Sequence, residues 1–283
     1  MKNSEWLLAL QANKSMDRFI NIVLLLFVTL VIQTVYAVYV RPAAEAWLVE
    51  QQALVNADPT YNPPRSIVVI IAEPEPQASI TVTVWALLLA FLRARGIKST
   101  RRLLDEDLLQ LQPGSCILPG DTRDYLRRFD QLPRVTRESM VPRVLQSALK
   151  RFGATRNIQD AATTVHHICE IEATRLESQL SMIRFAVWAI PAIGFVGTVR
   201  GLGEALESAQ FVLNSTNPAA LTSGLGLSFN STFTALTLCI LVMYVFNELQ
   251  LANDRLVLDT EQYAEDELIS RLRSELEPAT ALR

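Results

Sequence analysis

The sequence predicts an all-α integral membrane protein with about four transmembrane helices and cytoplasmic helical extensions. Half of its 283 residues are hydrophobic, and several apolar segments are long enough to cross roughly 30 Å of hydrocarbon. The mean hydropathy of +0.21 is correspondingly high. Charged residues make up 19% of the chain, which is too many for a protein that lies wholly in the bilayer. A sizeable part is therefore expected in water.

The first half of the chain predicts two spans around an external loop. An unbroken apolar run at 20–40 follows a cytoplasmic N-terminus at 1–19, and no signal-peptide cleavage site follows the run. The proline-rich segment 41–76, which includes a short run of strand-like composition at 67–72, is poor in Lys and Arg and is expected outside. Residues 77–92 are short for a span, but five basic residues follow them at 93–102, which is typical of a cytoplasmic flank. If 77–92 does not cross, three spans remain and the N-terminus is external.

The second half predicts two further spans joined by a loop. Gly153 divides the region after the basic cluster into a part broken by prolines and a helical part that begins near 158. No helix breaker separates this helix from the next apolar run, and 247–276 contains neither Gly nor Pro, so both helices are expected to be continuous. The predicted segments are a cytoplasmic helical region at 93–184, a span at 185–203, an external loop at 204–223, a span at 224–247 and a cytoplasmic C-terminal helix at 248–283.

The last two spans carry many small and hydroxyl-bearing residues. Pro191, Gly194, Thr198 and Gly201 recur at spacings of three and four, so they share one narrow face of a helix. The following span contains a run rich in Ser and Thr. Such residues permit close packing of helices or line a polar path through the membrane, and the residue types alone leave both possibilities open.

The order of these residues resembles the MotA/TolQ/ExbB proton-channel family. The pattern Pro-x-x-Gly-x-x-Gly-Thr-Val-x-Gly runs from Pro191 to Gly201, and Thr232 falls on the threonine of the second family element. The chain departs from the family at Arg200, where many members carry an apolar or aromatic residue, and in the residues flanking Thr232. The resemblance covers about 90 residues, from roughly His166 to Glu261.

The resemblance implies a channel-forming subunit of a motor or stator complex driven by the proton motive force in the bacterial inner membrane. Five copies would surround the single-span helices of two partner subunits of the ExbD, TolR or MotB kind, each bearing a membrane aspartate, and H⁺ or Na⁺ would pass. Arg200 and Glu204, spaced four apart, would pair or guard the entrance. The residues expected on the ion path are Thr198, Thr232, Ser228 and Ser231, and those expected to pack the pore are Pro191, Gly194, Gly197 and Gly201.

Several residue types and motifs are missing from the sequence, which reduces the number of functions that it favours. Residues 186–199 and 224–246 contain no Asp, Glu, Lys or His, so a proton carrier is expected from a partner. The chain has no phosphate-binding loop and no nucleophile triad, so we expect neither an enzyme nor a cofactor. The His-Cys-Glu cluster at 166–170 has no second ligand cluster, so no metal is expected. A net charge of −3 predicts no nucleic-acid partner. The rival interpretation is a structural membrane scaffold whose small residues only pack helices.

Overall fold

The described part of the chain is built from helices. A computed structural model describes residues 2–57, 61, 64, 66–105, 108–109, 115–212 and 219–274, with side chains except in 2–18, 134–135, 208–212 and 219–228. The described residues contain no β-strand, only an isolated bridge, so the predicted all-α class is confirmed. The helices are α1 (Lys2–Val35), a π-helical turn (Tyr36–Val40), α2 (Arg41–Ala57), α3 (Ile67–Ala72), α4 (Pro74–Arg102), α5 (Thr122–Gln131), α6 (Arg134–Arg137), α7 (Met140–Thr155), α8 (Ile158–Gln179), α9 (Ser181–Val212), α10 (Ala219–Glu267) and a 3₁₀ turn (Ile269–Arg271).

Four helical segments in the described residues are long and apolar enough to cross a membrane, which confirms a multi-pass membrane protein. Residues 77–92, which looked short for a span in the sequence, lie inside the 29-residue helix α4, and a bilayer needs about 20 residues. The side of the membrane that each connection faces stays a prediction. The four segments are Phe19–Ala57, Pro74–Arg102, Ile158–Glu207 and Phe229–Arg271.

The predicted loop at 41–76 is largely helical. Helix α2 occupies its first part, and the run at 67–72 forms α3 rather than a strand, since a lone strand has no partner with which to share hydrogen bonds. Pro42 lies in the first turn of α2, where its missing N–H is tolerated. The π-helical turn directly before it lets the Arg41 N–H bond to Tyr36 O, so the helix passes the proline without ending.

Three other predicted boundaries need correction. Much of the predicted loop at 204–223 is helical. Helix α9 continues to Val212 through good helix formers, and α10 already begins at Ala219. The residues between the two helices lie outside the described part. The helix that begins at 158 is interrupted at Leu180, whose N–H bonds to Glu177 O at 3.0 Å in a tighter turn. Gly153 does not divide two regions but lies within α7.

The chain forms two compact units. The span unit comprises Met1–Ala90 and Met182–Phe246. In this unit α9 and α10 approach closely, and α4 is tied to α1 by polar contacts. The Trp85 indole N–H donates to Asn21 O at 3.2 Å, and the Gln77 amide donates to Gln33 Oε1 at 2.5 Å. Gln77 Oε1 in turn accepts from Arg41 at 3.3 Å, so the buried amide is hydrogen-bonded on both sides.

The second unit comprises Phe91–Ser181 and Asn247–Arg283 and has its own hydrophobic core. Large side chains from α5, α7 and α8 fill this core, together with residues of α10. The predicted C-terminal helix at 248–283 ends earlier, at Glu267, because the chain turns to bury Leu268 and Leu272 in the same core. A parallel bridge to Ile117 holds Leu272 there. The Ile117 N–H donates to Arg271 O at 2.9 Å, and Ile117 O accepts from the Arg273 N–H at 3.1 Å.

Candidate ion path

Two threonine hydroxyls from α9 and α10 meet in the span unit. Thr198 and Thr232 share a hydrogen bond although 34 residues separate them in the chain. The Thr232 hydroxyl also donates to Gly194 O at 2.8 Å. With that donation made, the hydrogen bond between the threonines runs from the Thr198 hydroxyl to Thr232 Oγ1. The structure thus brings together the two threonines that the sequence pattern placed on the ion path.

The close approach of α9 and α10 depends on two glycines of α9. A methyl group added at Gly194 would lie 2.5 Å from Ala235 Cβ and 3.2 Å from Thr232 Cα. At Gly197, one turn further along, an added methyl would lie 2.8 Å from Ser231 Cβ and 3.0 Å from the Glu75 side chain. Neither helix can accept a larger residue here without moving, so these glycines pack helices within one chain. A further role in the approach of subunits stays a prediction.

The other predicted site residues are distributed as follows. Pro191 lies inside α9 and Gly201 lies in the same helix, both half-buried. Ser231 lies beside Thr232 and is 1% exposed, so its side chain faces the protein. The side chain of Ser228 lies outside the described residues. The roles of these residues on an ion path or in pore packing stay predictions.

A carboxylate that the sequence reasoning missed lies next to Ser231. The Ser231 hydroxyl donates to Glu73 Oε2 at 3.1 Å across 158 residues of chain. Burial is the largest effect on this carboxyl group and raises its pKa above that of an ordinary glutamate, against the opposing hydrogen bond from Ser231. The acidic residues on either side of Pro74, at the start of a span, were a signal in the sequence. The sequence does not indicate which helix these acidic side chains contact.

Arg200 is paired on two sides. Its guanidinium contacts both Glu75 oxygens, at 2.6 and 2.9 Å, in a bidentate arrangement. It also donates to Glu204 at 2.9 Å, one turn along α9. The pairing of Arg200 with Glu204 is present, but the contact with Glu75 was not expected from the sequence. A gating role for this group of charges stays a prediction.

The site is made of groups that can exchange protons through hydrogen bonds. Within the described residues, no three His, Cys, Asp or Glu side chains could hold a metal ion. The residues at the site are hydroxyls and a carboxylate, which exchange protons with water or with each other through hydrogen bonds. The site is therefore a polar cluster between two spans, with charged groups from α4 at one end.

The geometry describes a class of protein, a helical membrane protein with a hydroxyl cluster between two of its spans. Residues 136–262 match the model of the MotA/TolQ/ExbB proton channel family. The predicted family is thus confirmed for this segment, which contains Thr198 and Thr232 and begins 30 residues before the part recognised in the sequence. No curated protein and no solved structure matches the chain significantly. Helices α1 to α4 lie outside the matched segment.

Proposed function

We propose that the chain is the channel-forming subunit of a complex in the bacterial inner membrane that converts the proton motive force into rotation or force on another component. The observation that carries the proposal is the hydrogen-bonded pair Thr198 and Thr232 inside the segment of the proton channel family. A hydroxyl both donates and accepts, so a pair of them can solvate a proton-bearing water where lipid cannot.

The proposed complex contains five copies of the chain around two single-span partners of the ExbD, TolR or MotB kind. The sequences of the third and fourth spans contain no Asp, Glu, Lys or His between 186 and 199 or between 224 and 246. A membrane aspartate from the partner would be the main proton carrier. The transmembrane potential does work of about 2.3 kcal/mol per 100 mV on each unit charge that crosses the membrane. Proton binding and release at that aspartate would move the partner relative to the ring.

The alternative, a scaffold that only packs helices, is supported by the tight contacts of Gly194 and Gly197. It is also supported by the internal hydrogen bonds of both threonine hydroxyls, since small polar residues often hold membrane helices together. Packing and ion passage make different demands on the hydroxyl oxygen. Packing depends mainly on side-chain volume, since an interhelical hydrogen bond in a membrane contributes only about 0.6 kcal/mol, whereas an ion path needs the oxygen.

Substitution of the threonines by valine separates the two functions. Thr198→Val and Thr232→Val keep the shape of the side chain and remove its hydroxyl, and we expect them to assemble but to lose proton flux. The matched control is Thr237→Val on α10, because the exposed Thr237 bonds only to Phe233 O in the turn before it, at 2.9 Å. Flux would be measured in proteoliposomes containing the complex purified after expression of the native operon. Normal flux in both path variants would refute the proposal and favour the scaffold.

A further inference from the structure

Two carboxylates that reach the α9–α10 pair come from outside the family segment. Glu73 and Glu75 flank Pro74 at the start of α4, and both reach the α9–α10 pair. Glu75 forms a bidentate ion pair with Arg200 through two short hydrogen bonds. Among the described residues, the Glu73 carboxylate accepts a hydrogen bond from the Ser231 hydroxyl and has no cation within ion-pair distance. Of the two, Glu73 is the carboxylate without a direct ion pair among the described residues.

The surroundings of Glu73 favour its neutral form. Burial raises the pKa of its carboxyl group, and the negative charges of Glu75 and Glu204 act in the same direction. The Ser231 hydrogen bond and the positive charge of Arg200 oppose them, but the pKa stays above that of an ordinary glutamate. Arg200 is bound to Glu75 and Glu204 and makes no ion pair with Glu73 within 4 Å among the described residues.

Helix α4 continues the polar cluster with two buried hydroxyls. Ser79 and Thr83 are 0% and 4% exposed, and their hydroxyls have no hydrogen-bond partner in the part of the chain described. They follow Glu75 at spacings of four, so the three residues share the face of α4 whose first member packs against Gly197. Buried hydroxyls in stable proteins are hydrogen-bonded, and water is the usual partner when the protein supplies none. Water beside this face of α4 would satisfy both hydroxyls.

We propose that Glu73 is a proton-binding site at the end of the path where α4 begins, and that α4 forms a third wall of the path beside α9 and α10. This inference rests on the proposed channel function. The ionised carboxylate would take one proton from a hydronium ion, leaving water and a neutral carboxylic acid. It would then release that proton to a water molecule beside Ser231 and Thr232 and regain its charge, so that each cycle moves one proton and changes nothing else.

Infrared titration of the purified full-length chain in lipid nanodiscs tests the site without any transport. Between about pH 4 and 9 we expect one carboxyl group to titrate above the ordinary glutamate pKa of about 4.3, and its signal to be absent in Glu73→Gln. Glutamine still accepts the Ser231 hydrogen bond, so this change spares the fold. Ser231→Ala should raise the titration midpoint of Glu73, because it removes a hydrogen bond that stabilises the charged carboxylate. Glu75→Gln should lower that midpoint, because it removes a negative charge near Glu73. A Glu73→Gln spectrum identical to that of the wild type would overturn the proposal.

Proton flux in proteoliposomes, followed with a pH-sensitive dye under an imposed potential, separates this inference from the proposed function. We expect Glu73→Gln to lose most of the flux, Glu73→Asp to retain part of it, and Glu75→Gln to keep more than Glu73→Gln. If the wild-type complex carries no flux, the channel function fails, and the infrared titration still decides whether Glu73 binds a proton. If the wild type and Glu73→Gln conduct equally with the same pH profile, the function stands and Glu73 is not part of the path.

Discussion

The contact between α9 and α10 predicts that a single methyl group at Gly194 will destabilise the span unit. In Gly194→Ala the new Cβ would lie 2.5 Å from Ala235 Cβ, 3.2 Å from Thr232 Cα and 3.3 Å from Ser231 O. All three atoms belong to the backbone or to the first side-chain carbon of a helix, so none can rotate away. The two helices must separate, and the hydrogen bond from Thr232 to Gly194 O must lengthen from 2.8 Å.

The expected loss follows from three contributions. Overpacking of a tight contact costs about 1–3 kcal/mol, and weakening the Thr232 hydrogen bond costs about 1 kcal/mol more. Replacing glycine by alanine inside a helix returns about 1 kcal/mol. The net destabilisation is about 1–3 kcal/mol, and at about 2–4 °C per kcal/mol the unfolding midpoint should fall by several degrees.

Thermal unfolding in detergent, followed by circular dichroism, measures this effect. Gly203→Ala is the matched control, since Gly203 lies in the same helix with nothing within 4 Å of the added methyl. We expect its midpoint to be unchanged or slightly higher. Ala235→Gly should recover part of the loss in Gly194→Ala, giving a coupling energy of about 0.5–3 kcal/mol in a double-mutant cycle. A Gly194→Ala variant as stable as Gly203→Ala, or an absence of coupling, would refute the described contact.

Three further predictions concern topology, assembly and the second unit. In a cysteine-free background, Asn56→Cys and Ser99→Cys should react with an impermeant thiol reagent from opposite sides of the membrane, and labelling of both from one side contradicts four spans. Native mass spectrometry of the complex from the native operon should show five copies of the chain with two single-span proteins; a monomer or dimer without a partner contradicts the proposed assembly. Arg143→Ala should cost about 1–3 kcal/mol in chemical unfolding, because it removes a 2.8 Å ion pair to Glu172, whose side chain is only 6% exposed, while Arg175 remains 3.6 Å from the same carboxylate. An effect below about 1 kcal/mol, as for an exposed pair, contradicts that reasoning.

The four spans were predictable because their signal is local. About 20 apolar residues in a row identify a membrane helix whatever it packs against, and the segments predicted from the sequence lie within helices of the structure. The start of α8 was predicted near 158, and the structure shows that Asn157 caps the helix there by accepting the Gln159 N–H at 2.8 Å. The meeting of Thr198 with Thr232 was expected only from the family pattern, as spacing within one helix says nothing about the neighbouring helix.

The secondary-structure predictions were wrong where the same local sequence pattern is compatible with two different structures. Proline at position 42 favours a loop when only the sequence is considered, but proline in a first helical turn, after a π-helical turn, allows the helix to continue. The run at 67–72 has β-branched residues that suit a strand, yet a strand also needs a partner. Glu73 was overlooked because its contact with Ser231 spans 158 residues and depends on how α4 docks against α10. No pattern within either segment encodes that contact.

Packing and ion passage are coupled at this site, which determines the experiments that can distinguish them. Gly194 lets α10 approach closely enough for Thr232 to bond both Gly194 O and Thr198, so the packing contact also sets the distance between the hydroxyls. A substitution at Gly194 therefore disturbs the fold and any path together, and a loss of function there supports neither interpretation alone. Thr198→Val and Glu73→Gln nearly keep the shape of the side chain and remove its capacity to exchange a proton; Thr198→Val also removes the hydrogen bond to Thr232, so assembly must be measured together with flux. Only substitutions of that kind separate a helix contact from a proton path.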